Sequence, residues 1–398
     1  MEDMIAADRR KAVADRFVTF VGRSTAAFLV IAIVLEIMSF AALSVYRRLH
    51  RDPLSPQRSP VYDSEPWGLD FWKEQSTFWS HARSNYLPFM VWSVRKWHGK
   101  YINTDDSEMG TWRRTTQAIN GDCKKTTVRR LWVFGGSTVY GIGTPDWATI
   151  PSFLSQKLNV DHAACWEVIN LGSEGYVTNQ EVILLIQQLK AGRRPDTAIF
   201  YDGVNESLVG GFSPGDPTEH WTFDEIKARF EKPESGRLSL LKLSYTVQFV
   251  QALRQSESQD HYPIFSDVQV ADKARATLDN YEANVRIIRM LAKEYGFKTY
   301  FFWQPLLEFG NKPLVPFEAK LKEARRTELG GRVQRGIAAV YSEAERRSKI
   351  SSDYLFLGHA FDDVKDLIYV DEFHLDPRGN EIMADHIAVT LRANDSAK

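Results

Sequence analysis

Val128-Arg-Arg-Leu-Trp-Val-Phe-Gly-Gly-Ser-Thr138 is the segment from which the organisation of this 398-residue chain is most easily understood. Its apolar run, residues 128–134, predicts a strand, and the glycine pair predicts a sharp turn because no Cβ obstructs it. Three further apolar runs, at 166–170, 197–201 and 297–303, follow with helix-like segments between them. Strands that alternate with helices predict an α/β fold with a central parallel sheet and right-handed crossovers.

Residues suited to ester chemistry follow the first three predicted strands. Ser137 follows the first strand, Gly172 ends the second and Asn205 follows the third. Ligands of open α/β sheets bind beyond the carboxyl ends of the strands. There a serine can act as a nucleophile, and a backbone N–H or an asparagine amide can donate to an oxyanion. Each signal alone also fits a simple turn, and the glycine pair alone also fits a phosphate-binding turn, although Gly-x-Gly-x-x-Gly and P-loop spacings are missing from this segment.

Asp371 and His374 lie three residues apart, just before a last predicted helix that begins at Pro377. In a loop, this spacing can direct both side chains to one site, with the histidine as base for a serine and the aspartate fixing its tautomer. A surface Asp-x-x-His pair without chemistry is the alternative. His359 and His386 are the rival bases. His386 falls inside the last predicted helix, and His359 has no aspartate three residues before it.

Together these segments resemble the SGNH (GDSL-like) hydrolase family, bacterial membrane-anchored type. The resemblance extends from Val128 to the C-terminus and is carried by Phe134-Gly-Gly-Ser-Thr138, Asn170-Leu-Gly-Ser-Glu-Gly175, Asp202-Gly-Val-Asn-Glu206 and Asp371-Glu-Phe-His374. The family forms are Gly-Asp-Ser and Gly-x-Asn-Asp, so Gly136 and Glu206 are departures.

The resemblance implies a flavodoxin-like three-layer sandwich over residues 126–398. It also implies a triad of Ser137, His374 and Asp371. The N–H groups of Ser137 and Gly172 and the amide of Asn205 would form the oxyanion hole. Neither a metal nor an organic cofactor is expected.

Composition excludes little. Hydrophobic residues make up 43% of the chain and charged residues 25%, and a net charge of −1 gives no reason to expect nucleic acid as a partner. Eleven Trp and fifteen Tyr residues include many expected in the core, but aromatic faces also stack on sugar rings. The oligomeric state is left open by these features.

The N-terminal region predicts a membrane helix. Residues 24–46 contain an apolar run long enough to cross a bilayer, preceded by a tail at 1–23 and followed by a linker at 47–60. Glu36 lies near the centre of the run and costs roughly 2–3 kcal/mol on insertion scales, which its apolar neighbours can offset. A buried soluble helix and a cleaved signal peptide are the alternatives.

Basic residues flank the predicted span on both sides, so the positive-inside rule does not decide its orientation. The two cysteines favour an extracytoplasmic domain. Cys123 precedes the first predicted strand and Cys165 begins the second, so a disulfide between them is geometrically feasible. Two free buried thiols are the alternative. If formed, the bridge would contribute up to about 4 kcal/mol on the chain-entropy estimate.

Two further segments are expected to accompany the sheet. Residues 61–125 are rich in aromatic side chains and should pack on the core as a lead-in segment. A helical insertion at about 208–295, between the third and fourth strands, should cover or shape the site.

The sequence thus predicts a membrane-tethered serine esterase with an acylated small molecule or glycan as substrate. An O-acetylated glycan of the cell envelope fits the tether, the export and the aromatic content. The alternatives are a lipase or thioesterase on longer acyl chains, a glycan O-acetyltransferase, and a non-catalytic polysaccharide-assembly component.

Overall fold

The computed structural model describes residues 2–49, 58–81, 85–119, 128–160, 165–212, 216, 218–220, 226–227, 244–258, 264–327 and 331–395. The chain forms two units. One comprises residues 1–55 and 224–261, and the other comprises residues 56–223 and 262–398.

The helices of the described residues vary from single turns to very long rods. They are α1 (Glu2–Leu49), α2 (Val61–Ser64), α3 (Gly68–His81), α4 (Ser137–Tyr140), α5 (Ile150–Leu158), α6 (Thr178–Lys190), α7 (Val204–Phe212), α8 (Tyr245–Ser258), α9 (Asp267–Tyr295), α10 (Pro316–Thr327), α11 (Arg332–Ser348) and α12 (Pro377–Asp395).

The strands form two antiparallel hairpins and one larger sheet. They are β1 (Asn85–Leu87), β2 (Val91–Ser93), β3 (Thr104–Ser107), β4 (Gly110–Arg113), β5 (Val128–Gly135), β6 (Cys165–Gly172), β7 (Thr197–Asp202), β8 (Lys298–Trp303) and β9 (Leu355–Phe356).

The larger sheet has the order β6-β5-β7-β8-β9, and every pair in it is parallel. This is a flavodoxin-like, doubly wound order, so the predicted fold class is confirmed. Gly135 lies opposite Gly172 on one side and Tyr201 on the other. The carboxyl ends of β5, β6 and β7 are therefore level, and the residues that follow them meet at one edge.

The sheet is the middle layer of three because side chains alternate along each strand. Trp132 and Phe134 of β5 belong to a core with buried residues of α6, α9 and α11. Leu131 and Val133 belong to a second core with buried residues of α5 and α12. The strand is therefore apolar on both faces, as parallel strands between two helical layers require.

Carboxylates hold the starts of two helices near the site. α12 begins at Pro377, as predicted, and the Asp376 carboxylate accepts a hydrogen bond from the Gly379 N–H (2.7 Å). At α6, the carboxylate comes from another helix. The Thr178 N–H and hydroxyl donate to Glu206 (2.9 and 2.8 Å), and Glu181 is fully buried.

The lead-in segment packs against the sheet domain within the same unit. Phe78 stacks on Tyr140 with ring centroids 6.3 Å apart. The Asp146 carboxylate accepts hydrogen bonds from the side chains of Arg113 (2.6 Å) and Asn103 (2.9 Å), both buried. The segment therefore shares apolar and polar contacts with the loops that follow β5.

The predicted insertion at 208–295 does not behave as one element. α9 is a core helix, with Leu278, Tyr281 and Val285 fully buried, and it starts with a Ser266–Gln269 capping box. α8 belongs to the other unit, together with α1. Most of the segment 213–243 lies outside the described residues, so a cover over the site at this position stays a prediction.

The unit of residues 1–55 and 224–261 is built on α1. This helix extends from Glu2 through the predicted tail and past residue 46. Within residues 15–46 of this helix, the most apolar window has a mean hydropathy of 2.5, and 6% of that window is buried. By length and composition, α1 could cross a membrane or serve as a signal sequence. Residues 50–57 of the predicted linker lie outside the described residues.

Candidate active site

Ser137, His374 and Asp371 are connected by hydrogen bonds at the carboxyl edge of the sheet. His374 Nε2 lies 2.8 Å from Ser137 Oγ, and His374 Nδ1 lies 2.7 Å from Asp371 Oδ2. Asp371 Oδ1 accepts hydrogen bonds from the N–H groups of Phe373 (2.9 Å) and His374 (2.8 Å). The three-residue spacing thus closes a turn that holds the carboxylate against the imidazole.

The rival histidines lie elsewhere. His359 pairs through Nδ1 with Asp362, which follows it by three residues, and packs beside Phe309. His386 is exposed on α12, as its position inside the predicted helix suggested. Of the three histidines considered from the sequence, the structure brings only His374 to Ser137.

Electrostatics favour the charged forms of the Asp371–His374 pair. Burial lowers the pKa of His374, but the charge and hydrogen bond of Asp371 outweigh it, so the pKa is raised overall. Glu174 and Glu372 raise the pKa further. Burial raises the pKa of Asp371, but His374 and two backbone N–H groups bring it below its ordinary value. An imidazolium formed next to this carboxylate is therefore stabilised.

Ser137 begins α4, and Gly136 is its N-cap. Helical N–H groups in a first turn lack partners within the helix, so the Ser137 N–H is a candidate donor to an oxyanion. A Cβ at Gly136 would lie 2.3 Å from Nδ2 of Asn205. The asparagine amide therefore lies directly against the backbone that carries the serine. One of its two hydrogens is used, since Nδ2 donates to Tyr176 O at 2.6 Å.

Gly172 differs from its predicted role. Its N–H donates to Asn170 Oδ1 at 2.9 Å and is therefore not free for an oxyanion. A Cβ at Gly172 would lie 2.4 Å from the backbone nitrogen of Tyr140. The glycine is required here because α4 packs closely against the end of β6.

The turn after β6, residues 173–176, borders the site instead. Gly175 has a left-handed φ of 72°. Its carbonyl lies 2.7 Å from His220 Nε2, and the Glu174 carbonyl accepts a hydrogen bond from Trp92 Nε1 at 2.9 Å. Glu174 also lies near enough to His374 to raise its pKa. The turn is thus held from outside the sheet while it faces the triad.

Two polar residues that sequence reasoning did not assign hold the site in place. Asn170 Nδ2 donates to Val139 O (2.9 Å), which fixes the end of α4. Glu206 accepts hydrogen bonds from Gly203 N (2.9 Å) and from Thr178, and so connects the starts of α7 and α6. Both residues lie in the motifs quoted above. A polar residue close to the end of an apolar strand was the signal that could have identified them, because such a residue is buried and needs a hydrogen-bond partner.

Two further carboxyl groups are buried behind Asn205. Burial raises the pKa of Glu181 well above its ordinary value, and the neighbouring charge of Glu206 raises it further. Burial likewise raises the pKa of Asp202, with Glu181 and Glu206 adding to the effect. Both groups are therefore shifted towards their neutral forms.

Two cavities deserve comparison. A small one of about 20 Å³ adjoins the 173–176 turn and is lined by aromatic residues of the lead-in segment, among them Phe78, Trp79 and Trp92. A larger one, of about 570 Å³, lies between the lead-in segment and the start of α12, beside Trp67 and Trp147. The triad residues line neither of these two cavities.

The predicted Cys123–Cys165 bridge cannot be placed from one end alone. Cys165 is buried at the start of β6. Cys123 lies outside the described residues, so the pairing stays a prediction.

The chain was compared with known proteins. No protein-family model and no curated protein matched it. Among solved structures, it is similar to a lipolytic protein of the G-D-S-L family from Veillonella parvula DSM 2008, with a TM-score of 0.34, 9% identity, and coverage of 65% of this chain and 95% of that one.

It is also similar to a lipase/acylhydrolase from Enterococcus faecalis, with a TM-score of 0.34, 11% identity, and coverage of 67% and 96%. A mutant acetyl-xylooligosaccharide esterase from Geobacillus Stearmophilus has a TM-score of 0.30, 14% identity, and coverage of 65% and 91%. Because all the TM-scores are below 0.5, the fold rests on the strand order and the function on the site geometry.

Proposed function

We propose that this protein is a membrane-tethered serine esterase that removes short acyl groups, with an O-acetylated glycan as substrate. The observation that carries the proposal is the hydrogen-bonded series Asp371–His374–Ser137 at the carboxyl edge of the sheet. A nucleophile, a base within reach of it and a group that orients the base are the parts that covalent ester hydrolysis requires.

The reaction proceeds through an acyl-enzyme. Ser137 Oγ attacks the ester carbonyl while His374 Nε2 takes its proton. The tetrahedral intermediate collapses, and His374 gives that proton to the leaving alcohol. Water then attacks the acyl-enzyme with His374 again as base, which releases the acid and restores the Ser137 hydroxyl.

The oxyanion is held by donors at the start of α4 and α7. The Ser137 N–H and the second hydrogen of the Asn205 amide are the donors that the geometry supports best. The Gly175 N–H, in the turn that faces the triad, is a better third donor than the Gly172 N–H, which is engaged by Asn170. Such donors act most strongly in the transition state.

The substrate assignment rests on the aromatic residues beside the 173–176 turn. The walls of the small cavity at this turn include Trp79 and Trp92, flat apolar surfaces of the kind that stack on sugar rings. The triad residues do not line this cavity, so it is a candidate sugar contact and not the acyl pocket. This feature supports a glycan ester over a lipid ester.

The test is a chain-length series of p-nitrophenyl esters, followed by acetate release from a chemically acetylated oligosaccharide, with the full-length chain in detergent. We expect the acetyl ester to be the best substrate. Ser137→Ala should be inactive on all of them. Ser207→Ala is the matched control, since it removes a buried hydroxyl that donates only to Val204 O in α7. Preference for long chains would favour a lipase, and an unchanged Ser137→Ala variant would refute the mechanism.

We also propose that α1 is a permanent membrane anchor and that the catalytic unit is extracytoplasmic. The support is the exposed apolar surface of residues 15–46 and the two cysteines. Protease treatment of intact spheroplasts should digest the catalytic unit. Non-reducing peptide mapping should recover Cys123 joined to Cys165. A protected unit with both thiols free would reverse the orientation.

A further inference from the structure

We propose that α8 is a re-entrant membrane helix, which lies beside the C-terminal half of α1 inside the bilayer and has lipid acyl chains as its other neighbours. The inference rests on α1 spanning the membrane, as proposed above, and is independent of the esterase chemistry. It assigns a membrane-embedded role to a segment that the sequence suggested as part of a cover for the site.

The two helices run side by side in the same direction. Ser39 Oγ lies 3.0 Å from Thr246 Oγ1, and the Tyr46 hydroxyl donates to Ala252 O at 3.2 Å. Seven residues along α1 therefore match six residues along α8, about 10 Å of helix in each case. The Tyr46 ring also meets Phe249 edge to face, with centroids 6.3 Å apart.

Glu36 explains why α8 starts where it does. Its carboxylate accepts hydrogen bonds from the Ser244 hydroxyl and from the Tyr245 N–H (2.7 Å). A carboxylate in a bilayer is costly unless it is paired, and so are the free N–H groups of a helix start. The helix start gives the carboxylate hydrogen-bond donors, and the carboxylate gives the helix start an acceptor. The helix dipole also favours a negative charge at this end.

The depth follows from the length of α1. Glu36 and Tyr46 are ten residues apart, about 15 Å along the helix, or about half of a 30 Å hydrocarbon core. If Tyr46 is at the interface, α8 begins near the bilayer centre and reaches the interface at Ala252.

The outer surface of the helix pair is mostly apolar, with Gln251 of α8 as an exposed polar residue. Val250 and Leu253 of α8 are 42% and 44% exposed, and Phe40 and Val45 of α1 are 51% and 54% exposed. A pair of helices with a shared polar contact inside and apolar side chains outside matches the pattern of membrane segments. Backbone that enters a bilayer only part of the way is tolerated when protein satisfies its polar groups, as Glu36 does here.

The experiment measures the depth of a fluorescent label in vesicles that contain the full-length chain. Cysteine is introduced singly at Val250 in α8, at Val34 in α1 as the membrane reference, and at Val389 on the exposed face of α12 as the aqueous reference. The parent chain with its native cysteines gives the background. We expect lipids with a nitroxide on the acyl chain to quench the labels at positions 250 and 34 to a similar degree, and iodide to quench only the label at 389.

Quenching at position 250 by iodide but not by the lipid nitroxide, with position 34 quenched by the lipid, would overturn the re-entrant helix and leave the anchor standing. Quenching by iodide at position 34 would overturn the anchor and the inference together. When Glu36→Leu is added to the labelled V250C variant, the label should become accessible to iodide. Glu36→Gln keeps an acceptor oxygen, so lipid quenching of the same label should be retained. An unchanged Glu36→Leu variant would refute the capping role. Hydrolysis of p-nitrophenyl acetate, measured in the same vesicles, tests the esterase separately.

Discussion

Gly136→Ala should disable the site through Asn205 without changing any side chain of the triad. A Cβ at this position would lie 2.3 Å from Asn205 Nδ2, about 1 Å inside ordinary van der Waals contact. The amide would have to move away from the backbone of Ser137 by that distance. Because a donor displaced by 1 Å no longer makes a good hydrogen bond, we expect kcat to fall by roughly 10²- to 10³-fold, the usual effect of losing one oxyanion donor.

The assay is steady-state hydrolysis of p-nitrophenyl acetate by four proteins: the parent, Gly136→Ala, Asn205→Ala and the double variant. If the alanine acts by moving the amide, the double variant should be no slower than the slower single variant, because one donor can be lost only once. KM should change little, and thermal unfolding should show that each variant is folded.

Three results would refute this reasoning. A Gly136→Ala enzyme with unchanged kcat would mean that Asn205 is not held where its amide contacts this backbone. Losses that multiply in the double variant would mean that Gly136 acts by another route, such as a shift of α4. A change confined to KM would show that Asn205 holds the ground-state substrate only.

Further outcomes are expected at the triad and behind it. Ser137→Ala should abolish turnover with little change in melting temperature, as measured by ester hydrolysis and calorimetry, because it removes only one hydroxyl. Activity should rise with pH through a midpoint above about 6.5, since neutral His374 is the base and its pKa is raised, and Asp371→Asn should lower both the rate and this midpoint in the pH–rate profile. Because burial raises the pKa of Glu181 and Asp202, the native state binds protons that the unfolded state releases, so the contribution of these two groups to stability should fall as pH rises above about 4.3, the unfolded glutamate value. Glu181→Gln should flatten this decline in denaturant unfolding measured across pH, and an equal pH dependence in both proteins would contradict the assignment.

Much of this architecture could be predicted because it is encoded locally. The apolar runs marked the first four strands of the large sheet to within two residues. The alternation of these strands with helices predicted that the sheet is parallel and the fold α/β. The level ends of β5, β6 and β7 follow from that order, so the residues after them had to meet. The Asp371–His374 pair was recognisable because its spacing is a property of the chain and not of the fold.

What could not be predicted depends on which partner a polar group finds. The Gly172 N–H was expected to face a substrate, but the Asn170 side chain turns back over two residues and takes it. The sequence around Thr178 does not indicate that its N–H and hydroxyl donate to Glu206, which comes from the next helix. The free-energy cost of Glu36 in a membrane could be estimated from the sequence. Its partner Ser244, however, lies more than two hundred residues away in the chain. Such pairings are set by tertiary contacts that no local pattern contains.

Glu181, Asp202 and Glu206 are buried carboxyl groups whose charges bear on the stability of the oxyanion. An anion close to a developing oxyanion raises the energy of the transition state, and three acidic residues lie behind Asn205. Glu206 accepts hydrogen bonds from the starts of two helices, where a negative charge is favoured. Glu181 and Asp202 have no such position, and their raised pKa values shift them to the neutral form. Burial therefore opposes negative charge on Glu181 and Asp202, whereas the Glu206 carboxylate is held by donors at two helix starts.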